Sequence, residues 1–203
     1  MELSLFYPVK PMHINQGFGS NPDYYARFHD QFGNPEKGHM GIDFFAPHGT
    51  PVYAAVDGNA HFTKDDHGGE GIYINTGPYT YKGQPCTFNV INWHLCGDTD
   101  PQYPSPVPLD GSWFHVNRGD LIGYADNTGA PFESSGDHLH FGLCPLDVNG
   151  NAIEAANGYN GCIDPTPYFS GYYAQDAMIL AGLFAKLVPL LQSLRDALLT
   201  RSS

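Results

Sequence analysis

Basic residues are scarce. Nine Lys and Arg stand against 21 Asp and Glu, a formal charge of −12. Nucleic-acid binding rests on clustered cations that neutralise phosphates, so no nucleic-acid partner is expected. Charge of either sign is thin, at 15% of residues, while 41% are apolar and 14% aromatic. A chain of that balance can build a buried core and is not a disordered one. No CxxC pair occurs among Cys86, Cys96, Cys144 and Cys162, which argues against a structural zinc knuckle. The opening MELSLFYPVKPMHINQGFG has no basic start followed by an apolar run, so no signal peptide is expected. No internal repeat is visible, and no helical period precedes residue 170.

Glycine, proline and histidine are plentiful instead. Gly and Pro fill 41 of the 203 positions, which suits short strands joined by tight turns. Strand-like runs cover Pro51–Val56, Gly71–Asn75, Thr87–Trp93, Leu121–Tyr124 and His138–Leu143. They predict a mostly β domain over residues 1–170, an antiparallel sheet or sandwich. Ser20–Lys37 and the proline-rich Gly97–Val116 lack a strand pattern, and loops that long are commonly functional. If Thr87–Trp93 is a strand, Cys86 and Cys96 lie roughly 30 Å apart and do not bridge. Cys144 and Cys162 flank a polar Gly/Asn-rich excursion that a disulfide could close; the sequence leaves that open.

Residues 171–203 differ in character. From Ala177 to Leu194 the only charge is Lys186, and Leu180, Leu183, Leu187, Leu190 and Leu194 recur at heptad-like spacings. This predicts an amphipathic C-terminal helix that packs on the domain or self-associates with a second copy. The run contains Pro189, is followed by Arg195 and Asp196, and falls short of the ~20 apolar residues of a membrane span.

The ten histidines outnumber Lys and Arg combined. Three segments concentrate them with carboxylates: Gly38–Asp43, with His39 four residues before Asp43; Asn92–Leu95, where His94 ends an apolar run; and Gly136–Phe141, with His138 and His140 two apart. Residues i and i+2 of a strand share a face, so His138 and His140 can reach one point. Catalytic zinc takes three protein ligands and keeps a fourth position open, a need these segments meet with histidines to spare. His13, His29, His48, His61, His67 and His115 read as ordinary surface or loop residues.

GHMGIDFFAPHGTPVYAAVDG, followed by WHL at His94, NRGDLIGYADNTG at Asn117–Gly129, GDHLHFGL at Gly136–Leu143 and IDPTPYF at Ile163–Phe169, resembles the signature of the lysostaphin-type (LytM-domain) zinc metallopeptidases. The resemblance covers roughly Phe6–Phe169. It implies an antiparallel β fold with an active-site groove, and a Zn2+ ion held by His39, Asp43 and His140. His94 and His138 would be the two catalytic histidines, and the peptide cross-links of bacterial peptidoglycan the substrate. Action at the bacterial cell envelope follows, whether the enzyme is secreted, periplasmic or phage-delivered. The bond would be Gly-Gly or D-Ala to a diamino acid. The alternatives are a non-catalytic wall-binding or hydrolase-activating module of the same fold, and a peptidase aimed at protein. All five site residues are present, which argues against the metal-free activators. Two departures stand out: Trp93 where the family has tyrosine, and Gly142 where glutamate is common.

Overall fold

The computed structural model describes residues 2–66, 68–98, 100–131, 134–171 and 187–188. The chain divides into two compact units, 1–171 and 172–203. Of the expected C-terminal helix only Leu187 and Val188 are described, and both are helical and exposed; the rest of the Leu180–Leu194 stripe lies outside the described residues. Among the described residues no helix is long and apolar enough to cross a membrane.

The first unit is built of short strands. In chain order they are β1 (Leu5–Phe6), β2 (Ile14–Gln16), β3 (Ile42–Phe45), β4 (Pro51–Tyr53), β5 (Gly58–Asp65), β6 (Gly69–Thr76), β7 (Tyr79–Tyr81), β8 (Gln84–Trp93), β9 (Phe114–Val116), β10 (Leu121–Tyr124), β11 (His138–Leu146) and β12 (Phe169–Gly171). One short helix, α1 (Pro22–Tyr25), sits between β2 and β3. An eight-stranded sheet runs in the order β2-β3-β11-β8-β6-β5-β9, with β7 paired beside β8; β4–β10 and β1–β12 form two small sheets. All pairings are antiparallel except β1 with β12.

The large sheet has two unlike faces because side chains alternate along each strand. In β8, Cys86, Phe88, Val90 and Asn92 are buried, while Thr87, Asn89, Ile91 and Trp93 are half-buried. Phe44, Phe141, Ile72 and Ile74 join the same buried cluster, which also takes in Val52 of β4, Ile122 of β10 and Leu5 of β1. Fully burying each such side chain contributes roughly 1.5–3 kcal/mol. The opposite face carries Asp43, His140 and Trp93 side by side, because His140 pairs with Asp43 on one flank and with Trp93 on the other. The β7–β8 hairpin turns through Lys82 and Gly83, both left-handed (φ 49° and 79°), the backbone a two-residue turn of right-twisting strands requires.

Two expectations need correction. Gly97–Val116 does not stay strandless: it ends in β9, where Phe114 and Val116 turn inward and His115 outward, three residues too few to show against four prolines. The run Pro51–Val56 is a strand only to Tyr53, after which Ala54, Ala55 and Val56 remain buried without sheet pairing. The Cys144–Cys162 disulfide left open above is formed and closes the excursion between β11 and β12.

Candidate active site

Register assembles the site. Asp43 on β3 and His140 on β11 are directly opposed, so the imidazole Nδ1 comes 3.0 Å from Asp43 Oδ1. His39 enters from the turn before β3. Its backbone is clamped by Gly19 and Ser20, with His39 N–H donating to the Ser20 carbonyl (3.0 Å) and Gly19 N–H to the His39 carbonyl (2.8 Å). Gly38 makes that clamp possible: at φ 151° a β-carbon there would lie 2.5 Å from the Gly19 carbonyl oxygen.

His39 Nδ1–H donates to the Gly17 carbonyl (3.3 Å), which turns Nε2 inward, 3.0 Å from His140 Nδ1 and 3.2 Å from Asp43 Oδ1. Three donor atoms thus form a triangle with sides of 3.0–3.2 Å. Donors on a tetrahedral ion with bonds of ~2.0–2.2 Å stand about 3.3 Å apart, so the triangle fits zinc. Its electrostatics fit as well. Burial alone would raise the Asp43 carboxyl, but hydrogen bonds from His140 and His39 hold it well below the usual carboxylate range. Burial lowers His140, which favours the neutral imidazole; its Nδ1–H donates to Asp43 Oδ1, and an ion bound there would replace that proton.

His94 and His138 flank the triangle. Their rings are 4.5 Å apart, and His94 lies 6.1 Å from His140, centroid to centroid. His138 Nε2 is 3.6 Å from Asp43 Oδ1. Each ring is oriented through its far nitrogen: His94 Nδ1–H donates to the Thr128 carbonyl (2.7 Å), and His138 Nδ1–H to the Gly136 carbonyl (2.7 Å). Both rings therefore turn Nε2 away from the backbone that holds Nδ1. Burial, then repulsion from His140 and His138, lowers His94 to a pKa of about 3, so it is neutral at pH 7. His94 is also held in the left-handed backbone region (φ 67°), a rare place for histidine and one of the positions where functional sites hold strain.

All five sequence-derived site residues therefore converge on one point of the sheet. Tyr25 on α1 was not foreseen. Its ring lies 5.9 Å from that of His39, its hydroxyl accepts from Gln16 Nε2 (3.0 Å), and burial raises its pKa to about 12. Only its place in the polar, aromatic Ser20–Lys37 segment pointed that way. His48, taken for an ordinary loop residue, is an exposed loop residue held between Asp126 and Asp100. The two departures have steric counterparts. A β-carbon at Gly71 would lie 2.6 Å from the Trp93 ring, so the larger indole takes space its neighbour leaves. At Gly142, a β-carbon would meet Ile91 at 3.2 Å.

No family model matches the chain. Among curated proteins it is 29% identical over 144 residues to the DD-carboxypeptidase/endopeptidase Mpg of Neisseria meningitidis serogroup B, and equally to that of Neisseria gonorrhoeae. The match takes in 68% of this chain and 28% of theirs, so the chain spans little more than a quarter of these relatives' length. Among solved structures it resembles a zinc-containing peptidase from Vibrio cholerae (26% identity, TM-score 0.51, 80% of this chain and 39% of that one). It also resembles the catalytic domain of lysostaphin from Staphylococcus simulans (23%, TM-score 0.50, 77% and 91%). A third likeness is to the catalytic domain of the prophage-encoded M23 protein EnpA from Enterococcus faecalis (20%, TM-score 0.51, 80% and 95%).

Proposed function

We propose that this chain, lysostaphin-type in its motifs and its fold, is a zinc-dependent endopeptidase that hydrolyses peptide cross-links of bacterial peptidoglycan and acts at the cell envelope. The observation that carries the reading is the 3.0–3.2 Å triangle of His39, Asp43 and His140 beside two inward-facing histidines. His39 Nε2, Asp43 Oδ1 and His140 Nδ1 would hold the ion. Zinc held there supplies Lewis acidity to the scissile carbonyl and to the attacking water. His94 and His138 do the proton work between them. Their Nε2 atoms accept the water's proton, hydrogen-bond the tetrahedral oxyanion, and return a proton to the leaving amine. Of the two bonds the sequence left open, the likeness to DD-carboxypeptidase/endopeptidases favours the D-Ala to diamino-acid bond over Gly-Gly.

Zinc content and digestion of sacculi of known cross-link chemistry, with mass spectrometry of the fragments, test this in three chains. The unaltered protein should carry zinc and release cross-link cleavage products. His140→Ala should lose the ion of this site and all activity. His94→Ala should keep that ion while its rate falls by ~10²–10⁴, the usual contribution of one positioned acid/base group. If His94→Ala loses metal as readily as His140→Ala, the division into ligands and proton carriers is wrong. If the zinc-loaded protein leaves sacculi of every cross-link type intact, the substrate is wrong.

A further inference from the structure

A second cluster of metal-ligand side chains lies outside that triangle. His48 follows β3, Cys96 follows β8 and Asp126 follows β10, and one donor atom from each falls within 4.8 Å of the others. The segments that bear them are fastened by backbone hydrogen bonds: Gly49 N–H to the Ala125 carbonyl (2.8 Å), Ala125 N–H to Thr50 (2.9 Å) and Cys96 N–H to Tyr124 (2.9 Å). The donors are therefore held in place by the fold rather than carried on free loop tips.

The hydrogen bonding of His48 is that of a metal-binding histidine. Both ring nitrogens lie against carboxylates, Nε2–H donating to Asp100 Oδ2 (2.7 Å) and Nδ1–H to Asp126 Oδ1 (2.9 Å), and an ion bound between His48 and Asp126 would take the place of the Nδ1 proton. A carboxylate on the far ring nitrogen is the usual partner of a zinc-bound imidazole, fixing tautomer and ring direction. Cys96 is the decisive member. Its sulfur is buried, 3.5 Å from the Ala125 carbonyl oxygen. A metal bound there would deprotonate the thiol, and thiolate sulfur selects zinc over calcium or magnesium.

We propose that His48, Cys96 and Asp126 form a second site for one zinc-class divalent cation, with Asp100 orienting His48. The ion would tie three loops at the end of the sheet next to the catalytic histidines. Asp126 N–H already donates to the His94 carbonyl (2.7 Å), and His138 N–H to the Asp126 carbonyl (3.3 Å). This assignment is independent of the substrate reading, since it concerns metal content alone.

Cobalt separates the two sites. A thiolate bound to Co2+ gives an intense near-ultraviolet charge-transfer band, which the His39–Asp43–His140 set, having no sulfur, cannot produce. The full chain, stripped by chelator and reloaded with Co2+, should take up two equivalents and show the band. His140→Ala should fall to one equivalent and keep the band. Cys96→Ser should fall to one equivalent and lose it. His48→Gln, at an exposed position whose change leaves the core intact, should weaken cobalt binding at least tenfold in the band titration. Uptake of a single equivalent by the unaltered protein without the band overturns the proposal, as does a band that persists in Cys96→Ser.

Discussion

Gly41 separates two expected zinc ligands in the sequence, and its missing side chain is part of the site. A β-carbon there would lie 2.6 Å from the Phe141 carbonyl oxygen and 2.7 Å from His140 Cε1. Neither can retreat, since Phe141 is fully buried and its strand is paired on both edges. Gly41→Ala should therefore fold, as judged by circular dichroism, but bind zinc at the His39–Asp43–His140 site ~10–100-fold more weakly, about what losing an outer-shell support costs. Competition with a chromophoric chelator measures this, and unchanged affinity would show that His140 has room to turn. The five clustered residues were legible because motif and spacing carry them. That Asp43, His140 and Trp93 share a row was not, because strand register is set by pairing between segments about 50 and 100 residues apart. His48 was illegible for the same reason: its partners Asp100 and Asp126 lie 52 and 78 residues away.

Among the elements, the long segment between β2 and β3 shows how a loop without strands keeps a shape. Asp30 is its hub. Its Oδ1 accepts from the backbone N–H of Phe32 (3.0 Å) and Asn34 (2.8 Å), and Asn34 Nδ2 goes on to the Ala155 carbonyl (2.7 Å). Lys37 N–H reaches the Gly158 carbonyl (3.0 Å), so the loop is braced against the excursion that the Cys144–Cys162 disulfide closes. Burial would raise the Asp30 carboxyl, but hydrogen bonds from Asn34 and Phe32 hold it below its ordinary value. A lowered folded pKa contributes stability above the unfolded value of ~3.9 and loses it as pH falls through the folded one. Asp30→Asn should cost about 1–3 kcal/mol in urea unfolding at pH 7, with the gap to the parent closing below about pH 5. A gap that stays constant down to pH 3 would remove the carboxylate from this role. The sequence showed a polar, aromatic segment here; what it could not show was that residues 155–160, more than a hundred positions on, supply the acceptors.

For the molecule as a whole, the contrast between residues 1–170 and the leucine-rich remainder was plain in composition. The five site residues, the large sheet and the buried cluster all lie within the first unit. A chain ending at Gly171 should keep its zinc and its turnover per folded molecule, and differ from the full chain chiefly in self-association, which sedimentation velocity reads. A soluble, zinc-loaded truncation without activity would make the C-terminal segment part of the catalytic unit.

The pairing of β1 with β12 has a mechanical consequence. The two strands run parallel, with Leu5 beside Phe169, so tension applied to the opposite ends of this unit would load their ladder in shear. The latch is only two or three residues long on each side, and such a short clamp should yield before the wide sheet does. Phe169 packs at 6.0 Å from Phe44 and 5.5 Å from Phe141, on the strands whose outer faces carry Asp43 and His140. A pull across this unit would thus be felt first in the floor beneath the His39–Asp43–His140 triangle.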